Sequence, residues 1–454
     1  KTFGFTSVET PAVEHIENLS SNQGGENEKL IFKILKRGDK LTSAARKIID
    51  SAGKVTNEHK ESGVGVDSSI EEYDPIDVSG LSDSGLRYDL TLPLSRYYSN
   101  NANELPSPFK ALQMGNVWRA DRPQRGRFRQ FMQCDIDILG EPGIIAEIEL
   151  ILATTTLLGR LDFKNFTIRI NDRRILKAMA AYSGFEEKDY DTVFIILDKM
   201  DKIGLDGVKE ELLKEGFNEA TIEKYLGLYS KLVGSPSSGG DIELYEKSEN
   251  HDEISGSEAR NESNNTPEKK ARISIKNIKV IRDELGDFLS DEVADNLETI
   301  ITSVEGAKQS DFGIMFDPTL VRGMSYYTGP IFEISMDEYG GSVGGGGRYD
   351  EMIGKFTGQP TPAVGFSIGF ERIIMLLLES DFQVPGSGVR KAYLVEKNMP
   401  SDKLERIMTL AKEERENRTI VNVSIMKKNK KFQKEKMQEE GYTEFVEFFT
   451  DRDF

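Results

Sequence analysis

The sequence predicts an α+β fold: an antiparallel β-sheet core flanked by helices, a helical insertion, and a small C-terminal α/β unit. Three observations predict it. Strand-like and helical segments are mixed without the steady βαβ rhythm of a parallel sheet. Residues 109–119 and 128–139 read as two strands joined by an arginine-rich turn, an antiparallel hairpin. After Pro385-Gly386-Ser387-Gly388, strands at 391–395, 419–425 and 444–449 alternate with helices at 402–415 and 429–440.

The remaining elements follow in chain order. Residues 28–36 are rich in β-branched and aromatic side chains and predict a short strand. From 53 to 84 Ser, Gly, Asp and Glu predominate, which predicts a loop or mobile insertion. Residues 143–159 predict a helix with Glu147 and Glu149 facing outward, 166–172 a strand, and 173–233 helices. Residues 234–270 offer too little apolar surface to offset the entropy of ordering, which predicts disorder. Helical pattern returns at 274–307, strands at 312–316 and 330–336 precede a glycine cluster at 340–347, and a strand at 363–368 runs into a helix at 369–379.

Composition narrows the chemistry. The chain has 454 residues, 37% hydrophobic and 30% charged, as a globular protein of about three domains would. No apolar run approaches the roughly 20 residues of a membrane-spanning helix. The N-terminus has no signal-peptide pattern, and one cysteine, Cys134, points to a reducing compartment, so a cytoplasmic protein is expected. Three histidines, His15, His59 and His251, cannot assemble a Cys/His zinc site, and a Ser-His-Asp triad would rest on His15 alone. Net charge is −18, which taken whole argues against a nucleic-acid partner. The sum hides basic clusters at 119–129 and 427–436 beside acidic stretches at 56–84 and 241–268, and patches are what RNA meets.

The most informative segment is 119–139. Arg119, Arg122, Arg125, Arg127 and Arg129 crowd one turn shaped by Pro123 and Gly126. In the strand that follows, Phe131, Gln133, Asp135 and Asp137 share one face, while Met132, Cys134, Ile136 and Ile138 share the other, the expected core face. An amide and two carboxylates beneath guanidinium groups could hold a cationic amine on the sheet and a polyphosphate above it. The glycines 344–347 precede neither Gly-Lys-Ser/Thr nor a dinucleotide fingerprint, so tight strand packing under the site is the better reading.

Four segments in register resemble the histidyl-tRNA synthetases, a class II aminoacyl-tRNA synthetase family. Arg119-Ala-Asp-Arg-Pro-Gln-Arg-Gly-Arg-Phe-Arg-Gln-Phe resembles motif 2, and Gly85-Leu-Arg-Tyr-Asp-Leu-Thr91 the loop that captures the α-amino group. Arg322-Gly-Met-Ser-Tyr-Tyr-Thr-Gly329 resembles the histidyl signature, with Ser325 where Asp is usual. Gly346-Gly-Arg-Tyr-Asp350 and Ala363-Val-Gly-Phe-Ser-Ile-Gly-Phe-Glu-Arg372 resemble motif 3 and its approach.

The resemblance implies a ligase that activates L-histidine with ATP and Mg2+, then esterifies it onto the 3′ end of tRNA(His). It implies Asp89, Thr91 and Gln133 for the α-ammonium, and Asp137, Tyr326 and Tyr327 for the imidazole. Arg119 and Arg322 fall to the carboxylate and α-phosphate as the catalytic pair, Arg127 and Arg372 to ATP, and Gln124 and Arg125 to the tRNA acceptor end. No protein ligand set for a metal is assigned. The resemblance also implies a division into catalytic core (1–172 and 309–384), helical insertion (173–308) and anticodon-binding domain (389–454). A homodimer through motif 1 is implied too, although only Thr10-Pro11 and neighbours of that motif stand in this chain. The competing expectation is a non-catalytic relative that binds tRNA or senses histidine.

Overall fold

Side-chain alternation along the middle strands builds one large sheet. The computed structural model describes residues 2–20, 30–61, 78–123, 126–233, 267–321, 326–380, 382 and 389–453. The chain divides into two units, Lys1–Leu376 and Leu377–Phe454. Strands of the first are β1 (Thr6–Ser7), β2 (Val13–His15), β3 (Lys33–Leu35), β4 (Ser82–Leu86), β5 (Phe109–Trp118), β6 (Gln130–Leu139), β7 (Phe166–Asp172), β8 (Phe312–Phe316), β9 (Pro330–Met336), β10 (Gly341–Arg348) and β11 (Ala363–Gly369).

Eight of these strands form a sheet in the order β1-β5-β6-β11-β10-β9-β7-β8. Every pairing from β5 to β7 is antiparallel, and only the edges β1 and β8 pair in parallel. The expected α+β architecture with an antiparallel core is therefore present. Register places Gln113, Asp135, Ser367, Gly345, Glu333 and Arg169 side by side across six strands. Cross-strand partners point to the same face, so this row is polar, with a gap at the glycine.

Helices α1 (Ile16–Ser20), α2 (Asp39–Glu61), α3 (Thr91–Asn101), α4 (Ile145–Arg160), α5 (Arg173–Ser183), α6 (Tyr190–Leu197), α7 (Met200–Lys214), α8 (Glu219–Val233), α9 (Pro267–Leu285), α10 (Asp291–Ala307), α11 (Asp350–Thr357) and α12 (Phe370–Glu379) complete it. Helix α4 packs on β6 and β11, while α9 and α10 pack on β8. Around the buried Tyr225 and Tyr229 the helices α5 and α8 meet, with Phe185 edge-on to Tyr225.

Four local expectations need correction. The strand expected over 28–36 is only Lys33–Leu35. The loop expected over 53–84 is helical to Glu61, since Leu41, Ala45 and Ile48 set a helical spacing leading into it, and becomes β4 from Ser82; residues 62–77 lie outside the described residues. Glu147 does not face outward: it is fully buried and paired with Arg348, as that side of α4 lies on the sheet. The disorder expected over 234–270 fails at its end, where Pro267 to Lys270 open α9, a helix packed on β8 with Ala271 and Ile278 buried; residues 234–266 lie outside the described residues.

The second unit carries β12 (Arg390–Val395), α13 (Ser401–Glu416), β13 (Ile420–Ile425), α14 (Lys430–Glu439) and β14 (Glu444–Phe448). Its sheet, β13-β12-β14, is parallel. Alternate residues of β12 feed two cores: Tyr393 and Val395 pack with Ile407 and Ala411, and Ala392 and Leu394 with Met437.

Candidate active site

The polar row floors a cavity of about 540 Å³ in the first unit. Its floor comes from β6. Gln133, Asp135 and Asp137 are 8, 3 and 2% exposed, so the polar face is the buried one. Of the face expected to be core, Ile138 is fully buried while Met132, Cys134 and Ile136 are half-buried. Alternation was legible, but cavity walls rather than apolar packing cover the polar side.

Glycines keep this floor low. A Cβ at Gly365 would collide with the Asp137 carboxylate, and one at Gly346 with the Gly365 carbonyl. At Gly347 it would meet Pro330 O and the Tyr327 ring, each at 2.8 Å. The expected role of the cluster, close strand packing beneath the site, is what the geometry contains.

One wall is the loop before α3. Arg87 Nε donates to Asn116 O at 2.8 Å and its Nη1 to Thr10 O at 2.7 Å. Gln113 Nε2 donates to Leu90 O at 3.2 Å, and Asp89 Oδ1 accepts from Leu92 N at 3.2 Å. These bonds fix Asp89 and Thr91 at the cavity. Arg119 donates through Nε to Tyr88 O at 3.2 Å, and its guanidinium lies 4.2 Å from the Tyr88 ring centre and 5.1 Å from that of Phe131. With two rings in cation–π range, the guanidinium is restrained at the cavity wall.

On the other side, Arg372 donates through Nη1 to Ser342 O at 2.5 Å and Nε to Gly126 O at 3.4 Å. Arg127 lines the cavity too. Of the other turn arginines, Arg122 and Arg129 are exposed and outside it. Tyr326 and Tyr327 line the deep end, where the Tyr326 hydroxyl hydrogen-bonds with Thr91 and Tyr327. The structure thus brings Asp89, Thr91, Arg119, Arg127, Gln133, Asp137, Tyr326, Tyr327 and Arg372 to one cavity. Arg322, Gln124 and Arg125 lie outside the described residues.

Sequence reasoning passed over three participants. Tyr349 donates its hydroxyl to Asp137 Oδ1 at 2.7 Å, and Ser367 accepts from Gln133 Nε2 at 2.7 Å. Asp135 stands on the expected polar face as one of two carboxylates for a cationic amine, without an assignment of its own. Strand alternation on β6 and β11 was the available signal for Asp135 and Ser367. Glu333 and Arg169, on β9 and β7, extend the polar lining beyond the glycines.

Three buried acceptors on this floor have no partner among the described residues: Gln133 Oε1, Asp135 Oδ1 and Asp137 Oδ2. Unpaired buried acceptors are costly, so this floor suits a ligand rich in N–H donors. Burial pushes Asp135 well above the usual carboxylate range, with Asp137 adding to the effect, and burial pushes Asp137 up to about 7. A folded-state pKa above the unfolded one means the folded chain holds more protons between about 4 and about 7, so stability falls as pH rises through that window. From Asp137 alone the ligand-free protein is expected to lose roughly 2–3 kcal/mol between pH 5 and pH 8. Urea unfolding at both pH values checks this; an unchanged slope in Asp137→Asn would refute the attribution.

The chain is similar to known proteins of one family. The histidyl-tRNA synthetase family model matches residues 58–238 and 267–373. The histidine–tRNA ligase of Leifsonia xyli subsp. xyli is 40% identical, over 82% of this chain and 73% of its own. A probable histidine–tRNA ligase of Tropheryma whipplei is 41% identical, over 83% and 74%. Among solved structures, histidyl-tRNA synthetase from Nostoc sp. PCC 7120 superposes with a TM-score of 0.63 at 25% identity, covering 97% of this chain and 83% of that one. An ATP phosphoribosyltransferase regulatory subunit/histidyl-tRNA synthetase from Bacillus halodurans C shares the fold at 17% identity, with a TM-score of 0.65 over 98% and 90%. No helix among the described residues is long and apolar enough to cross a membrane. On the strength of the family match and these relatives, the chain belongs to the histidyl-tRNA synthetase family.

Proposed function

We propose that this chain activates L-histidine with ATP to histidyl-adenylate and transfers it to the 3′ end of tRNA(His). The carrying observation is the trio of unpartnered acceptors, Gln133 Oε1, Asp135 Oδ1 and Asp137 Oδ2, in a cavity also lined by Arg119, Arg127 and Arg372. Histidine presents an ammonium and a ring N–H to such a floor, and ATP presents phosphates to such arginines. In our assignment Asp89, Thr91 and Gln133 hold the ammonium. Asp137 accepts from the imidazole, its geometry set by Tyr349, with Tyr326 and Tyr327 against the ring. A site built on these hydrogen bonds rejects analogues that leave them unmade.

Arg119 and Arg322 flank the reacting carboxylate and α-phosphate, while Arg127 and Arg372 hold the ATP tail. Catalysis is then positioning and charge stabilisation, without a protein general base. Mg2+ reaches phosphoryl sites on the nucleotide with one or two protein carboxylates. Among the described residues no three His, Cys, Asp or Glu side chains form a metal cage. We assign that carboxylate to Glu371, which lines the cavity beside Arg372. Bound there, the ion would offset charge on the phosphates.

Gln124 and Arg125 are assigned to the tRNA acceptor end, and the 389–454 unit to the anticodon. In that unit Lys430 and Lys434 pair with Glu447 at 2.9 and 2.7 Å, which leaves the basic run partly neutralised and moves the assignment toward Lys427 and Lys428. A homodimer through Thr10-Pro11 and its neighbours is supported by the exposed Val13 on β2 and Leu35 on β3.

The test is amino-acid-dependent exchange of pyrophosphate into ATP, run across all twenty amino acids. Exchange with histidine alone is expected. A folded protein without exchange would establish the tRNA-binding or histidine-sensing module instead.

A further inference from the structure

Gln133, Ser367 and Asp135 form a short relay on the cavity floor. Gln133 Nε2 donates to Ser367 Oγ at 2.7 Å, and Ser367 is also hydrogen-bonded to Asp135. A hydroxyl has one proton, so with a lone pair facing the Gln133 amide its proton goes to Asp135. The relay therefore fixes the Gln133 amide with Oε1 toward the cavity. It also satisfies only one oxygen of Asp135, leaving Oδ1 buried without a partner among the described residues. The cross-strand neighbour gives no help: Gln113 donates to Leu90 O and accepts from Thr10 Oγ1.

A carboxylate kept 3% exposed and half-satisfied is costly for the empty protein, more so with Asp89 and Asp137 nearby. It makes sense opposite a cation. An ammonium carries three N–H groups and a positive charge that a carboxylate offsets. Resting on the reading of this cavity as an amino-acid site, we infer that Asp135 is a further binding residue for the α-ammonium. Its Oδ1 shares the N–H groups with Asp89, Thr91 and Gln133 Oε1, and through Ser367 it sets the orientation of Gln133.

The experiment is calorimetric titration of the full chain with L-histidine and with its deaminated analogue, 3-(imidazol-4-yl)propanoate, which keeps ring and carboxylate. In Asp135→Asn the dissociation constant for histidine is expected to rise ~10–100-fold, the range for a hydrogen bond to a charged group, with that for the analogue nearly unchanged. Thermal unfolding of the ligand-free variant should shift upward, since a buried charge has been neutralised. If Asp135→Asn fails to fold, Ser367→Ala serves: histidine should weaken relative to the analogue because Gln133 loses its orientation. Equal losses for both ligands, or no loss for histidine, overturn the assignment. Wild-type protein that binds no histidine overturns the reading of the site itself, a distinct result.

Discussion

An Arg348→Ala protein is expected to lose about 3–5 kcal/mol of stability, because it strands a buried carboxylate. Arg348 stands at the end of β10, its side chain 9% exposed, opposite the fully buried Glu147. Its Nε and Nη2 reach the two Glu147 oxygens at 2.7 and 2.8 Å, while Nη2 also donates to Gly143 O at 3.2 Å and Nη1 to Glu141 O at 3.3 Å. Against a typical total of roughly 5–15 kcal/mol, the loss would leave much of the population unfolded. Urea unfolding measures it. Removing both charges in Arg348→Met with Glu147→Leu should recover a large part, as apolar replacements of buried pairs do. A double variant as unstable as the single one would contradict the account. The next residue, Tyr349, orients Asp137, so damage here reaches the cavity floor.

Replacing Arg119 by alanine is expected to slow adenylate formation roughly 10³-fold, the upper range for removing one preorganised donor at developing charge. The guanidinium is held in cation–π range of Tyr88 and Phe131 and by one bond to Tyr88 O, which leaves its remaining N–H groups for the ligand. Arg119→Lys should recover little of the rate, since an ammonium neither stacks as a plane nor offers a fork. Single-turnover formation of adenylate at saturating histidine and ATP reads the step directly. Full rescue by lysine would reduce Arg119 to a point charge and sink the positioning argument.

Much of this site was legible because β-strands have a period of two. Alternation alone puts Gln133, Asp135 and Asp137 on one face, and the class II resemblance joins that face to Asp89, Arg119 and Arg372. What alternation does not reveal is which face is covered. Apolar residues normally claim the buried side, yet here β6 buries its carboxylates because a cavity needs a floor. Glu147 misled for a related reason: a lone glutamate in an apolar helix reads as surface, and its partner stands 201 residues away in sequence. Nothing local announces a pair of that separation. The helix through Glu61 runs into a stretch whose Ser, Gly and Glu content favours a loop, while regularly spaced aliphatic residues upstream carry the helical pattern.

The bare strand under the cavity constrains how the pocket can be altered. Gly346, Gly347 and Gly365 contribute no side chains, and an added methyl meets backbone, the Tyr327 ring or the Asp137 carboxylate. Retuning this enzyme for a larger or smaller substrate therefore has to proceed from above, through Tyr326, Tyr327 and the 87–91 loop. A laboratory library that randomises the glycines would mostly return misfolded protein, whereas one restricted to the upper walls would sample folded variants.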